Sequence, residues 1–195
     1  MPPENHRPAT PAVATLAHRN CAKPLSGGLT TNSQSGTKAS KHSRQHPSPV
    51  QAEATVYWLS VGVAKADNGD TIAIAGSGTL SVHSKSATGG GTFVHKNVVG
   101  EVLATGDWTA TSLTSFKAFG SDPELGFPST FTGGHAVMQV ALWVGGVQLH
   151  DAILTVDGNL EANPPGLSEG IKLALKDALN FNQKVSGANL FILED

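Results

Sequence analysis

Cysteine, long apolar runs and cofactor motifs are scarce or missing in this chain of 195 residues. The one cysteine is Cys21, so we expect no disulfide framework and no thiolate metal site in the residues that follow. No stretch approaches the roughly 18 consecutive apolar residues of a membrane helix, and no early segment has the apolar core of a signal peptide. These absences predict a soluble cytoplasmic protein without a membrane partner.

Motifs for nucleotides, metals and hydrolysis are also missing. Gly89-Gly90-Gly91 lacks the Gly-Lys-Ser/Thr ending of a phosphate-binding loop. No G-x-G-x-x-G motif lies in a strand–helix–strand setting, and no G-x-S-x-G nucleophile motif occurs. We therefore predict a protein without a cofactor.

The first 52 residues hold no aromatic residue and few large apolar side chains. Such a composition cannot offset the entropy of ordering, which predicts a disordered tail over 1–52 and a folded domain over 53–195. The tail carries six Lys and Arg against one Glu, whereas the domain carries seven against fourteen Asp and Glu. The acidic domain would repel a phosphate backbone, so we expect no nucleic acid as its ligand. Prolines 2, 3, 8 and 11 oppose the helix of a transit peptide, which makes organellar targeting by the tail the less favoured expectation.

Patterns typical of β-strands fill the domain. Apolar stretches separated by turns rich in glycine and asparagine predict eight strands, at about 54–64, 71–84, 92–97, 101–114, 135–145, 147–157, 170–177 and 186–193. Asn68-Gly69 and Gly145-Gly146 have the composition of tight hairpins. Segment 86–91 predicts a flexible turn, and segment 120–134 predicts a long loop that could act as a lid.

These strands predict an all-β fold. It would be a single antiparallel β-barrel of about eight strands or a two-sheet sandwich, and Gly76 and Gly78 would allow a bend or a close backbone approach. The layout is similar to that of lipocalins, avidins and the allene-oxide-cyclase/dirigent group, as an architecture whose family motifs this sequence lacks. Segments 135–144 and 149–156 are apolar on both faces. Both faces then need cover, which predicts a homo-oligomer.

Histidines and carboxylates of the domain are the candidate catalytic groups. Imidazoles exchange protons near neutral pH, and these lack the spacing of metal ligands, so no metal site is predicted. His150 and Asp151 are neighbours, so their side chains point to opposite faces of a regular strand. The candidate bases and acids are His95, His135, His150, Asp107 and Asp151.

Aromatic residues are the candidate ligand contacts, because they line apolar pockets in proteins. The predicted ligand-binding residues are Phe93, Trp108, Gln139, Trp143, Phe127 and Phe131. Together these features favour binding of a small apolar or aromatic molecule. One alternative is a cofactor-free isomerase, cyclase or dehydratase that acts in the same cavity, as in secondary metabolism. Another is a structural homo-oligomeric interaction protein.

Overall fold

The computed structural model describes residues 54–122, 124, 126–160 and 167–194. The predicted disordered tail, residues 1–52, lies outside the described residues. None of the described residues forms a helix long and apolar enough to cross a membrane. The described part of the chain forms nine strands: β1 (Thr55–Lys65), β2 (Thr71–Ser81), β3 (Ser86–Lys96), β4 (Val102–Gly120), β5 (Phe131–Val144), β6 (Val147–Gly158), β7 (Gly170–Leu175), β8 (Asn180–Phe181) and β9 (Gln183–Leu193).

The strands form one antiparallel sheet in the order β4-β3-β2-β1-β9-β5-β6-β7-β8, and β4 also pairs with β5. The two ends of the series β4-β3-β2-β1-β9-β5 therefore join, which closes the sheet into a ring. Three register shifts in β4 along its pairing with β5 indicate bulges, which bend a strand and increase its twist. This confirms the predicted all-β, antiparallel architecture.

Alternate residues of each strand fill the interior. Large side chains from both halves of the ring are buried there, including Trp58, Trp108, Met138, Leu154, Ile171 and Phe191. Trp58 of β1 and Trp108 of β4 pack with ring centroids 5.5 Å apart. The centre of the fold is therefore a packed core, and the pockets of the molecule lie at its ends and on its outer face.

Two glycines make room for Trp108. Trp108 pairs with Gly91 of β3, and Gly91 pairs with Gly76 of β2. The two positions next to Trp108 in this row therefore have no side chain on the inner face of the sheet. A Cβ atom on Gly76 would stand 2.5 Å from Cζ2 of Trp108. The indole extends across this row and donates a hydrogen bond from Nε1 to the carbonyl of Ala75 at 3.3 Å. The glycines predicted to permit a close approach do so here for an aromatic ring.

The predicted turn at 86–91 is wrong. These residues form the first half of β3 and pair with β2, and the turn lies at 82–85, where Lys85 has a φ of 56°. The glycines that suggest flexibility pack closely instead, because a Cβ on Gly89 would stand 2.1 Å from the carbonyl oxygen of Ser77. The loop predicted over 120–134 is shorter than expected, since β4 runs to Gly120 and β5 begins at Phe131.

Candidate functional site

A pocket at one end of the core brings together three of the predicted site residues. His95 and Phe93 come from β3, and His150 comes from β6. We call this cavity of about 240 Å³ the histidine pocket, and its other walls are formed by Ile72, Ala104, Leu142, Val144, Leu149, Leu175, Ala178, Leu179 and Phe181. The two imidazoles are thus the polar side chains of an otherwise apolar cavity.

His95 is held at the edge of this pocket by two contacts. Its Nε2 lies 3.4 Å from Oδ2 of Asp70, a distance at the long end for a hydrogen bond. Its ring meets Phe181 edge to face, with centroids 5.3 Å apart. Asp70 also accepts a hydrogen bond from the amide of Asn68 at 3.0 Å, within the turn between β1 and β2. The imidazole therefore lines the pocket, and the Asp70 carboxylate lies on the side of its Nε2 atom.

A second depression, of about 680 Å³, lies on the outer face of β4, β5, β6 and β7. Its lining includes three other predicted residues, Gln139, Trp143 and Asp151. Trp143 donates from Nε1 to the hydroxyl of Thr109 at 3.1 Å, and Asp151 accepts from the amide of Gln148 at 2.8 Å. These hydrogen bonds occupy Nε1 of Trp143 and Oδ1 of Asp151.

A third depression, of about 610 Å³, contains the third predicted histidine, His135, and we call it the His135 groove. Nδ1 of His135 lies 2.5 Å from Oδ1 of Asp157, directly opposite on β6. The other carboxylate oxygen lies 2.7 Å from Nζ of Lys184. Because an ionised carboxylate only accepts hydrogen bonds, Nδ1 carries a proton and donates it to Asp157. Nε2 of His135 makes no hydrogen bond to any residue that the structure describes.

The His135 groove rests on a buried polar network. Asp157 is 4 % exposed at its side chain, and Lys184 is 12 % exposed and also donates to the carbonyl of Ser168. The buried amide of Asn189 donates to the carbonyls of Asp157 at 2.9 Å and Gly170 at 3.2 Å. Its Oδ1 accepts from the hydroxyl of Ser60 at 2.5 Å. A chain of hydrogen bonds therefore runs from the core out to the half-exposed imidazole.

The remaining predicted residues lie apart from these pockets. Trp108 is a core residue, and Asp107 is exposed on the strand beside Trp143. Phe127 and Phe131 stack on each other with centroids 6.3 Å apart. The structure thus divides the predicted site residues among several places instead of gathering them in one cavity.

Asp157, Lys184 and Asn189 are the site residues that the sequence analysis missed. The sequence signal comes only within one residue of Asp157, because the Gly145-Gly146 hairpin sets the pairing of β5 with β6. Counting back from that turn places Val156 opposite His135. The bulge at Leu142/Trp143 shifts the register by one residue and brings Asp157 there instead.

Within the described ranges, no group of three or more His, Cys, Asp or Glu side chains is placed to hold a metal ion. The histidine pocket offers two imidazoles, and the His135 groove offers an imidazole, a carboxylate and ammonium groups. Comparison with known proteins gave no match to the chain among protein-family models, curated proteins or solved structures.

Proposed function

We propose that the protein binds a small apolar or aromatic molecule, without a cofactor, in the histidine pocket. One observation carries this proposal: the walls of the pocket are apolar except at His95 and His150. Ligand pockets in proteins typically combine apolar walls with a few polar groups that fix the orientation of the bound molecule. The two imidazoles are suited to that part, since each can donate or accept a hydrogen bond.

The size of the pocket limits the ligand. A cavity of about 150 Å³ lined by apolar side chains is enough to bind benzene. The histidine pocket, at about 240 Å³, offers room for one substituted ring and is too small for a long lipid. The expected ligand is therefore an aromatic compound with a single polar substituent that reaches an imidazole.

A titration of the full chain with indole and p-cresol tests the proposal. We expect isothermal titration calorimetry to give micromolar dissociation constants, and Ala104→Leu to weaken binding at least tenfold because it fills the pocket. Ala118→Leu is the matched control, since Ala118 is exposed elsewhere on the same strand. Absence of micromolar binding, or equal binding by Ala104→Leu, would refute the proposal.

The second candidate function is a cofactor-free isomerase, cyclase or dehydratase in the same pocket. It is favoured by the convergence of two imidazoles on one cavity, with Asp70 behind His95. Two titratable groups at one apolar site are the minimum for acid–base catalysis. Under this alternative, His95→Gln and His150→Gln would each abolish turnover while leaving ligand affinity within about tenfold.

Homo-oligomer formation is the third candidate, and the outer face of β1 and β9 supports it. Tyr57, Leu59 and Val61 are exposed there, beside Leu190 and Ile192 of β9. No charged side chain interrupts this face between Tyr57 and Val63, as the register with β2 and β9 places only apolar, Ser and Thr residues there. A second copy of the chain would cover it, and Leu59→Glu would then lower the mass measured by sedimentation.

A further inference from the structure

The His135 groove is separate from the histidine pocket, and its chemistry is different. Its side chains come from β5, β6, β7 and β9 and include His135, Asp157, Lys172 and Lys184. Thr155, Asn182 and Gln183 add polar atoms to its walls. A polar depression with several cationic side chains is unsuited to the ring-bearing ligand that we propose for the other pocket.

Positive charge is in excess around His135. Facing the imidazole are Lys117, its register partner on β4, Asp157 on β6, Lys172 on β7 and Lys184 on β9. Asp157 is the carboxylate in this set, and Lys184 already pairs with it. Lys117 and Lys172 form no ion pair with any carboxylate in the described ranges. The groove is thus a cationic spot on a domain whose overall charge is negative.

The imidazole of His135 is fixed in direction. Its Nδ1–H bond points at Asp157, so the ring cannot rotate without breaking a short, charge-assisted hydrogen bond. Its side chain is 38 % exposed, and Nε2 is the atom left to interact with a bound molecule. In the imidazolium form both ring nitrogens are donors, so Nε2–H can then donate to an acceptor in the groove.

We propose that the His135 groove binds a small oxyanion, such as a carboxylate or a phosphate, between Nε2–H of His135 and Nζ of Lys172. The anion supplies the negative charge that the surrounding lysines lack. Asp157 is a positioning residue in this arrangement, because it acts on the anion only through His135.

Calorimetry of the full chain with two probes, inorganic phosphate and acetate, tests this proposal. Titrations at pH 7.5 give the dissociation constant and the number of sites. We expect at least one probe to bind at a single site. Binding of phosphate alone, or of acetate alone, supports the proposal and identifies which oxyanion the groove accepts.

Two variants assign the effect to named groups. Lys172→Gln removes the ammonium group from an exposed side chain, and we expect it to weaken binding about tenfold or more. His135→Gln replaces the fixed imidazole with a neutral, flexible donor, so we expect it to weaken binding as well. Lys65→Gln and His83→Gln are the matched controls, because both side chains are exposed outside the groove.

The proposal fails if neither probe binds at millimolar concentration. It also fails if Lys172→Gln or His135→Gln binds as the original chain does. Since indole binding is measured at the other pocket, these outcomes leave the proposed function unaffected and can be distinguished from its failure.

Discussion

His95 and His135 both face a carboxylate, yet the two pairs differ in almost every other respect. His95 and Asp70 lie 3.4 Å apart at the rim of an apolar cavity, and Asp70 belongs to a turn. His135 and Asp157 lie 2.5 Å apart on adjacent strands, and Asp157 is buried and shared with Lys184. The first imidazole is a polar point in an apolar wall, whereas the second is the outer end of a buried network. A histidine's chemistry in this fold thus depends on what the neighbouring strand places against it.

The two pairs should also differ in their contribution to stability. The His95–Asp70 contact is expected to contribute little because it is long, at 3.4 Å, although its side chains are only 23 % and 14 % exposed. A buried pair is costly to break, because removal of one partner leaves the other charge without compensation in a poorly solvated place. Three variants test the comparison, from the largest expected effect to the smallest.

The largest effect is expected from Asp157→Asn. It leaves the ammonium of Lys184, which is 12 % exposed, without a counter-charge, so we expect a loss of about 3–5 kcal/mol in the free energy of unfolding. The matched Asp70→Asn change should cost only about 0.5–1.5 kcal/mol, because the contact to His95 is long and the amide oxygen of Asn can still accept there. Urea denaturation monitored by tryptophan fluorescence measures both. Equal losses in the two variants would show that the two pairs are energetically alike, against the comparison.

An intermediate effect is expected from Asn189→Ala. The change leaves the hydroxyl of Ser60 and the carbonyls of Asp157 and Gly170 without the partner that each has now. Unsatisfied buried groups cost about 1–3 kcal/mol each, so we expect a loss of at least about 2 kcal/mol. Asn182→Ala, at an exposed position, is the control and should stay within about 0.5 kcal/mol. A loss for Asn189→Ala as small as the control's would mean that the network is dispensable.

The smallest effect is expected from Phe127→Ala. Phe127 is 40 % exposed and stacks on Phe131, and it does not line the histidine pocket. We therefore expect the dissociation constant for indole to change less than about twofold, as measured by calorimetry, since no pocket contact is lost. A change above tenfold would instead support the hypothesis that the segment before β5 closes over the pocket as a lid.

Much of the fold could be predicted from the sequence, because it depends on local patterns. Alternation in β2 places Ile72, Ile74 and Leu80 on one face, and all three are buried. The Asn-Gly and Gly-Gly pairs mark the turns between β1 and β2 and between β5 and β6. The run of glycines in β3 led to the incorrect prediction of a turn over 86–91. Their small size serves close packing between strands, a property that depends on residues distant in the chain.

The candidate sites were predictable only in part. Alternation puts His95 on the same face as Phe93 and His135 on the same face as Trp143, so which residues share a face of a strand could be predicted. Which faces meet in one cavity depends on ring closure through β4–β5 and β5–β9. The Asp157 partner of His135 depends on a single bulge, which no periodic pattern in the sequence reveals.

The indole pair in the core has an optical consequence. Trp58 and Trp108 lie on β1 and β4, with two strands between them in the sheet, and their rings are tilted by 30°. Two aromatic chromophores at 5.5 Å exchange excitation, so their transitions mix and give a paired signal in circular dichroism. That signal depends on the contact between the two indoles, and we expect it to be lost on unfolding. The pair is therefore an intrinsic spectroscopic gauge of whether β1 and β4 keep their folded arrangement.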